Sequence, residues 1–245
     1  GGWSLGGFAG AGVLLVLLKT LSLPVSESIC GVLIVLFIAM LITSQYMLSF
    51  GKDPNAKVVK KSKSPLSFHP IAIIFGILSF VSFLVEGAVG DWSALYLFED
   101  KGIVIEEAVM GVMFFNATMC IGRLLGNRLG KHLTSKQVVI SGYLLGSIAM
   151  ALVVLLPGYG SMYTYLLVGI SLAMVVPNLF SAMGEQNVIP MTQAVATSTM
   201  LGYMGILMGP ALIGFIAHAA SLTIAFSVLT AMLVISAGIG KYAYM

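Results

Sequence analysis

Charge is what this sequence has least of. Asp, Glu, Lys and Arg together make up 9% of 245 residues, where a soluble domain carries about 25%. So few charges cannot cover a globule in water, and a water-soluble domain is excluded. Cysteine is nearly absent. Cys30 and Cys120 each stand alone in an apolar run, so there is no disulfide framework and no metal-ligand spacing. Both read as small buried hydrophobes. Histidine is limited to His69, His132 and His218, all at expected membrane faces, and no H-E-x-x-H or Cys/His cluster suggests a catalytic metal. No metal, cofactor or nucleic-acid partner is expected. Gly1 opens directly on an apolar run, without the basic segment or small-residue cleavage site of a signal peptide. The expectation is a fragment that begins inside or at the edge of a helix.

What the sequence has is long apolar runs. Hydrophobic residues make up 59% of the chain and the mean hydropathy is +1.05. A helix that crosses a bilayer needs about 20 mostly apolar residues. Eight runs qualify: 1–18, 28–48, 69–98, 107–126, 137–156, 161–184, 193–217 and 221–240. They are about twice the length of barrel strands and do not alternate. Backbone groups in lipid must then be satisfied within helices. The predicted fold is an all-α, polytopic transmembrane bundle of eight spans whose partner is the lipid bilayer. Fifteen methionines read as flexible apolar filler.

Lysine and arginine set the orientation. Lys52, Lys57, Lys60, Lys61 and Lys63 fall in the loop 49–68; Arg128, Lys131 and Lys136 fall in or beside 127–136; Lys241 is in the tail. The opposite side has Lys19 and Lys101, beside Glu99, Asp100, Glu106 and Glu107. The positive-inside rule places 49–68, 127–136 and both ends in the cytoplasm. The stretch 49–68, with Pro54 and Pro65, is the one real linker. It divides two spans, 1–48, from six, 69–245. Its run Lys57–Lys63 reads either as a lipid-binding patch or, more simply, as a solvated loop that sets topology.

Two motifs of soluble enzymes fail on context. Gly2-Trp3-Ser4-Leu5-Gly6 matches G-x-S-x-G but runs into an apolar helix, without the strand–turn–helix and triad partners that chemistry needs. Gly126 to His132 is one residue short of a P-loop, and His132 replaces the hydroxyl that would hold magnesium.

Ionisable residues inside spans are costly, which makes them functional candidates. The third run holds Glu86 and Asp91. Five residues apart on a straight helix, they point about 140° apart and sit about 7.5 Å apart along the axis. Gly87 and Gly90 therefore suggest a break of the kind that marks transporter sites. Glu86 lies deeper and is the better proton or substrate candidate. Asp91 reaches the outer interface, where Trp92 and Tyr96 read as an aromatic belt. Asn116 lines a polar pathway or glues two helices. Arg123 reads as an anchor whose stem snorkels to the cytoplasmic surface. Pro177-Asn178 marks a hinge or a place where freed carbonyls meet a solute. Gly202, Gly205, Gly209 and Pro210 recur at three- and four-residue steps that allow close helix packing. Tyr203 among them faces either a cavity or a neighbour.

These residues resemble the major facilitator superfamily, over essentially the whole chain. Trp3 to Ala11 resembles the fifth helix of bacterial members close to the YbjJ-like inner-membrane proteins. Glu86-Gly87-Ala88 with Asp91-Trp92-Ser93-Ala94-Leu95-Tyr96 resembles their seventh, and Gly202-Tyr203 through Gly209-Pro210 and Gly214 their eleventh. Gly122 to His132 is similar to the cytoplasmic loop signature G-x-L-x-D-R-x-G-R-R. Asn127 stands at its acidic position, Arg128 at the basic one, Gly130 at the glycine, and Lys131 and His132 at the closing pair. Arg123 stands at the first glycine. Asn127 lacks the acid on which a charge latch would depend.

The resemblance implies helices five to twelve of a twelve-helix fold, with a cavity between two six-helix bundles. It implies secondary active transport of a small solute by alternating access, coupled to protons, with no enzymatic step. Missing N-terminal helices or a partner chain would be needed for a full cavity. The competing class is a non-transporting membrane scaffold or inactive remnant. A membrane enzyme is disfavoured because no catalytic pair stands at workable spacing.

Overall fold

The computed structural model describes a few helical positions between 6 and 17, then residues 24–45, 66, 68–129 and 133–243. Among these every regular element is helical. They are α1 (Val25–Ser44), α2 (Pro70–Glu99), the single turn α3 (Ile105–Ala108), α4 (Met110–Leu129), α5 (Ser135–Leu155), α6 (Gly158–Leu172), α7 (Val175–Glu185), α8 (Met191–Ala219) and α9 (Leu222–Ala243). Seven stretches are long and apolar enough to cross a membrane: Ser26–Ser44, Pro70–Glu99, Ile105–Gly126, Ser135–Leu155, Gly158–Glu185, Met191–Ala219 and Leu222–Lys241. They meet seven of the eight expected runs. The first run, 1–18, falls largely outside the described residues, as does most of the lysine loop 49–68.

The chain divides into two compact units. One lies within Ala9–Ser64 and contains α1; the other runs on from Pro65 and contains α2 to α9. Helix α1 is apolar on every side, as a membrane span is, and nearly all its side chains are exposed. Cys30 lies on that exposed surface while Cys120 is buried. The expectation that both cysteines are buried is thus corrected for Cys30: an all-round apolar helix has no single core face to hide it. Two hydroxyls near the end of α1 bond within the helix. Thr43 Oγ1 donates to the Ala39 carbonyl at 2.8 Å and Ser44 Oγ to Leu41 at 2.7 Å, the local solution open to Ser and Thr where water is absent.

In the second unit α2 is the hub. It runs against α8 for most of its length and also touches α3, α4, α6, α7 and α9, while α9 packs on α5 and α6 lies between α4 and α5. Its start is set by Pro70 at the first helical position and by His69, whose Nδ1 accepts from the Ile71 amide at 3.3 Å. Helix α5 starts on a capping box: Thr134 Oγ1 accepts from the Gln137 amide and the Gln137 side chain accepts from the Thr134 amide. No break occurs at Gly87 or Gly90; α2 is continuous. That corrects the expected interruption. Gly87 instead makes room for a neighbour, since a Cβ there would stand 3.1 Å from Ile206.

The α2–α8 contact rests on missing side chains. A Cβ on Gly205 would lie 2.2 Å from the Phe80 carbonyl oxygen, one on Gly202 2.8 Å from the Phe83 ring and one on Gly209 3.3 Å from the Leu84 oxygen. Apolar side chains gain little from leaving lipid for protein, so close backbone approach and packing hold such helices together. Pro210 stays inside a continuous α8. Its carbonyl accepts from Trp92 Nε1 at 3.2 Å, tying α8 to α2 a second time.

A break occurs elsewhere. The span Gly158–Glu185 is interrupted at Ala173 and Met174, between α6 and α7. Pro177 explains the position. It lacks the amide that would bond the Ala173 carbonyl, and its ring clashes with that group four residues back. Asn178 bonds the next carbonyl twice, its amide and its Nδ2 both donating to the Met174 oxygen, at 3.2 and 2.8 Å.

Two substitutions test the packing account. Gly205→Ala must push α8 off the Phe80 carbonyl, and an overpacking cost of about 1–3 kcal/mol is expected. Gly90→Ala, with nothing within 4 Å of the added carbon, leaves stability unchanged or slightly raised. Thermal unfolding of the purified protein in detergent, comparing the two variants, measures the difference.

Candidate functional site

A cavity of about 170 Å³ opens between three helices of the second unit, lined by Phe83 and Glu86 of α2, Arg123 of α4, and Tyr203 and Ile206 of α8. Phe83 and Glu86 are three residues apart, as are Tyr203 and Ile206, so each pair lies on one helix face. Arg123 Nη2 donates to Glu86 Oε2 at 3.1 Å, and the side chains are only 12% and 8% exposed. Among the described residues this is the one salt bridge. Glu86 sits near the middle of the 30-residue α2. The rings of Phe83 and Tyr203 stack with centroids 5.7 Å apart and planes 11° apart. The cavity therefore joins a buried ion pair to an aromatic wall. Next to it on α2, Ser82 and Tyr143 of α5 share a buried hydrogen bond of 2.8 Å. The Tyr143 proton goes to the Leu78 carbonyl at 2.6 Å, so Ser82 is the donor between the two hydroxyls.

Three residues singled out in the sequence thus come together: Glu86, Arg123 and Tyr203. Arg123 differs from its expected role. Its guanidinium turns to the buried Glu86 carboxylate of another helix instead of outward. The other candidates stand apart from the cavity. Asp91 is exposed, one face of α2 away. Trp92 is spent on the Pro210 carbonyl. Tyr96 is fully buried, stacked on Phe226 at 4.5 Å with Lys101 Nζ 5.2 Å from its ring. The aromatic belt is corrected for Tyr96: the turn after α2 folds back over it and α9 covers its face. Asn116 Nδ2 donates to its own helix at Val112, 3.1 Å away, and Asn178 to Met174. Of the loop signature, Asn127 and Arg128 are described only as helix backbone, and Gly130, Lys131 and His132 lie outside the described residues.

Phe83, Ile206, Ser82 and Tyr143 were not singled out. The sequence carries one usable signal for the first two: each lies three positions from a polar candidate. For Tyr143 there is none, because its partner Ser82 is 61 residues away.

At one end of the bundle the turn 100–104 and the short α3 after it bind three other helices. Asp100 Oδ2 accepts from the Thr223 amide at 3.1 Å and from its hydroxyl at 2.7 Å, at the start of α9. Lys101 Nζ donates to the Val154 carbonyl of α5 at 2.7 Å, and the Tyr159 hydroxyl of α6 donates to the Glu107 carboxylate. Gly102, at φ 69°, supplies the left-handed residue that lets the chain reverse.

Long apolar helices around a buried ion pair define a polytopic helical membrane protein. No family model matches the chain. Relatives do. It is 35% identical over 94% of its length to an uncharacterized MFS-type transporter of Yersinia pestis. It is 31% identical over 61% to the membrane protein MosC of Rhizobium meliloti, and 32% identical over 62% to an uncharacterized transporter of Sinorhizobium fredii. It spans 59%, 37% and 41% of those proteins. Among solved structures it is similar in fold to crystal structures of a peptide transporter, POT. The TM-scores are 0.61 with sulfate bound and 0.58 with alafosfalin bound, at 14% and 16% identity, covering 70% of this chain and 37% of the other. The chain is a homologue of major facilitator, or MFS-type, transporters.

Breaking the ion pair from its two sides has unequal consequences. Arg123→Gln leaves a carboxyl that sheds its charge by taking a proton; Glu86→Gln leaves a guanidinium that cannot. Loss of one partner of a buried pair costs about 3–5 kcal/mol. Glu86→Gln and Arg123→Gln are both expected to lose unfolding free energy. Acidification restores stability to Arg123→Gln alone. Unfolding in detergent across the acid-to-neutral range reads both effects.

Proposed function

We propose that this protein is a secondary active transporter that moves a small solute by alternating access and is coupled to protons. The observation that carries the reading is the Glu86–Arg123 pair, buried beside a cavity inside an apolar bundle. An ion pair in that setting is costly, and intramembrane charges of this kind mark solute and proton paths. Glu86 exchanges the proton. Arg123 is its countercharge, and Tyr203 and Phe83 form the wall beside them. Homology to MFS-type transporters and the POT-like fold support the reading from outside the site.

The same proposal includes the setting. Residues 1–48 belong to one bundle and 69–245 to a second, with 49–68 as the cytoplasmic linker. Both ends of the chain lie in the cytoplasm of a bacterial cell, and the bilayer is the inner membrane. Five lysines in 49–68 support that orientation. Pro177 and the break at Ala173–Met174 serve as a hinge, and the small residues of α8 hold α2 and α8 together as one moving body.

The test uses the full-length protein with Cys30→Ala and Cys120→Ala, carrying Tyr203→Cys at the cavity. In right-side-out and inside-out vesicles, a membrane-impermeant maleimide is expected to reach the introduced thiol from both sides, in a ratio that shifts with pH. Glu86→Gln is expected to remove the pH response and to abolish pH-driven uptake while the protein still inserts and folds. Labelling from one side under every condition would end the alternating-access reading. A pH response unchanged in Glu86→Gln would end the proton role.

A further inference from the structure

Three hydroxyls deep in the second unit have no hydrogen-bond partner among the described residues: those of Ser93 and Tyr96 on α2 and of Tyr165 on α6. All three residues are fully shielded, at 0% exposure. Ser93 and Tyr96 are three residues apart and share a face of α2. The Tyr96 and Tyr165 phenols are close enough to interact electrostatically. A Cβ on Gly111 would meet the Leu97 side chain at 2.6 Å and the Tyr165 ring at 3.3 Å. The Tyr165 ring therefore lies beside the turn of α2 that carries Tyr96.

A buried hydroxyl without a partner is costly. Elsewhere in this unit hydroxyls solve the problem locally. Ser171 Oγ donates to the Leu167 carbonyl and Ser227 Oγ to the Thr223 carbonyl, both four residues back. Ser93 makes no such bond. The tyrosines have no local escape. A phenol oxygen lies on the axis about which its ring turns, so a ring flip leaves it in place. The Tyr96 ring is held by Phe226, stacked at 4.5 Å, and by the Lys101 ammonium, 5.2 Å from its centroid. The Tyr165 ring is held against Gly111. A partner must come to these hydroxyls.

Their chemistry selects that partner. Each group is neutral, and each both donates and accepts. Lys101 stands over Tyr96 and opposes a cation. Among the described residues no cluster of His, Cys, Asp and Glu could hold a metal ion. A buried water makes about three hydrogen bonds to otherwise unsatisfied polar groups, and three such groups are present.

We infer that Ser93, Tyr96 and Tyr165 form an internal water site, in which bound water bridges α2 and α6 next to the turn 100–104. The bridge ties the two helices through groups that do not bond each other directly. The site is distinct from the Glu86 cavity, since Ser93 stands seven residues, about 10.5 Å, farther along α2. It uses no step of the transport reading and stands or falls apart from it.

The experiment is hydroxyl-radical footprinting of the full-length protein by X-ray pulses, read residue by residue with mass spectrometry. Radicals born from a bound water oxidise the side chains that hold it, even where bulk water has no access. Tyr165 is expected to be oxidised severalfold faster than Phe115, a ring of similar burial at 1% exposure. The oxidation is expected to persist with a radical scavenger in the bulk solution. In the double variant Ser93→Ala, Tyr96→Phe it is expected to fall to the Phe115 level. If that variant does not fold, Ser93→Ala alone carries the comparison, and a fall at Tyr165 is again expected. Tyr96→Phe is expected to lower the midpoint of thermal unfolding by about 1–3 °C, because a hydrogen bond is lost. A Tyr165 ring as shielded as Phe115, or a higher midpoint in Tyr96→Phe, would mean that the hydroxyls are dry and would overturn the inference. A wild-type midpoint raised by chloride at constant ionic strength would make the occupant an anion and overturn it too. Oxidation abolished by the scavenger would mean entry of bulk water, and oxidation unchanged in the variants would mean that other groups hold the water; each outcome also overturns the site.

Discussion

The Phe80 carbonyl and the bare Cα of Gly205 stand where no side chain fits between them, and much of the second unit follows from that approach. It brings α8 against α2 at backbone distance. The same register sets Gly202 on Phe83 and Gly209 near Leu84. With α8 held there, Tyr203 stacks on Phe83 and Ile206 faces the same space as Glu86. In water the burial of apolar area would hold two such helices. In lipid that drive is weak, and intimate packing must replace it. Small residues in α8 are therefore part of the site's construction as much as of the fold's.

Polar groups follow a second constraint: with no water at hand, a partner must come from inside the protein, and among the described residues the buried hydroxyls of Ser28, Ser79, Ser93, Tyr96, Tyr165 and Ser198 have none. Several others bond locally. Thr43, Ser44, Asn116 and Asn178 bond carbonyls of their own helix or its edge. A few reach across. Trp92 meets Pro210, Tyr143 meets Ser82 and Leu78, and Glu86 meets Arg123. The cross-helix bonds concentrate at α2, which explains how one long helix can be both hub and lining of the cavity. At the far turn, Asp100 and Lys101 fasten the starts and ends of neighbouring helices. That end of the unit is stapled, and the break at Ala173–Met174 lies elsewhere.

The sequence reading was strongest where one physical rule acted alone. Run length and apolarity located seven spans to within a few residues, because bilayer thickness imposes length without reference to neighbours. Glu86 stood out because an acid in such a run is rare for energetic reasons. The reading failed where two rules competed. Gly87 and Gly90 suggested a break by helix propensity, yet the helix runs on through both; the smallness of Gly87 admits Ile206, and nothing crowds Gly90. Tyr96 beside Trp92 suggested a belt by position, yet the turn at 100–104 and Phe226 enclose it. Arg123 suggested snorkelling by its place near a helix end, yet an acid lay within reach on another helix.

By itself the sequence determined the solvent, the secondary structure and the candidate charges of this protein. Those depend on composition and on neighbours along the chain, and lipid leaves the backbone few alternatives. Only the tertiary structure decided which charges meet. Glu86 and Arg123 are 37 residues apart, and Glu86 and Tyr203 lie on helices far apart in the chain. Whether they share a cavity depends on how α4 and α8 are rotated about α2. That rotation is set by the fit of glycines against carbonyls and rings, a matter of shape between surfaces that no periodicity along one chain segment records.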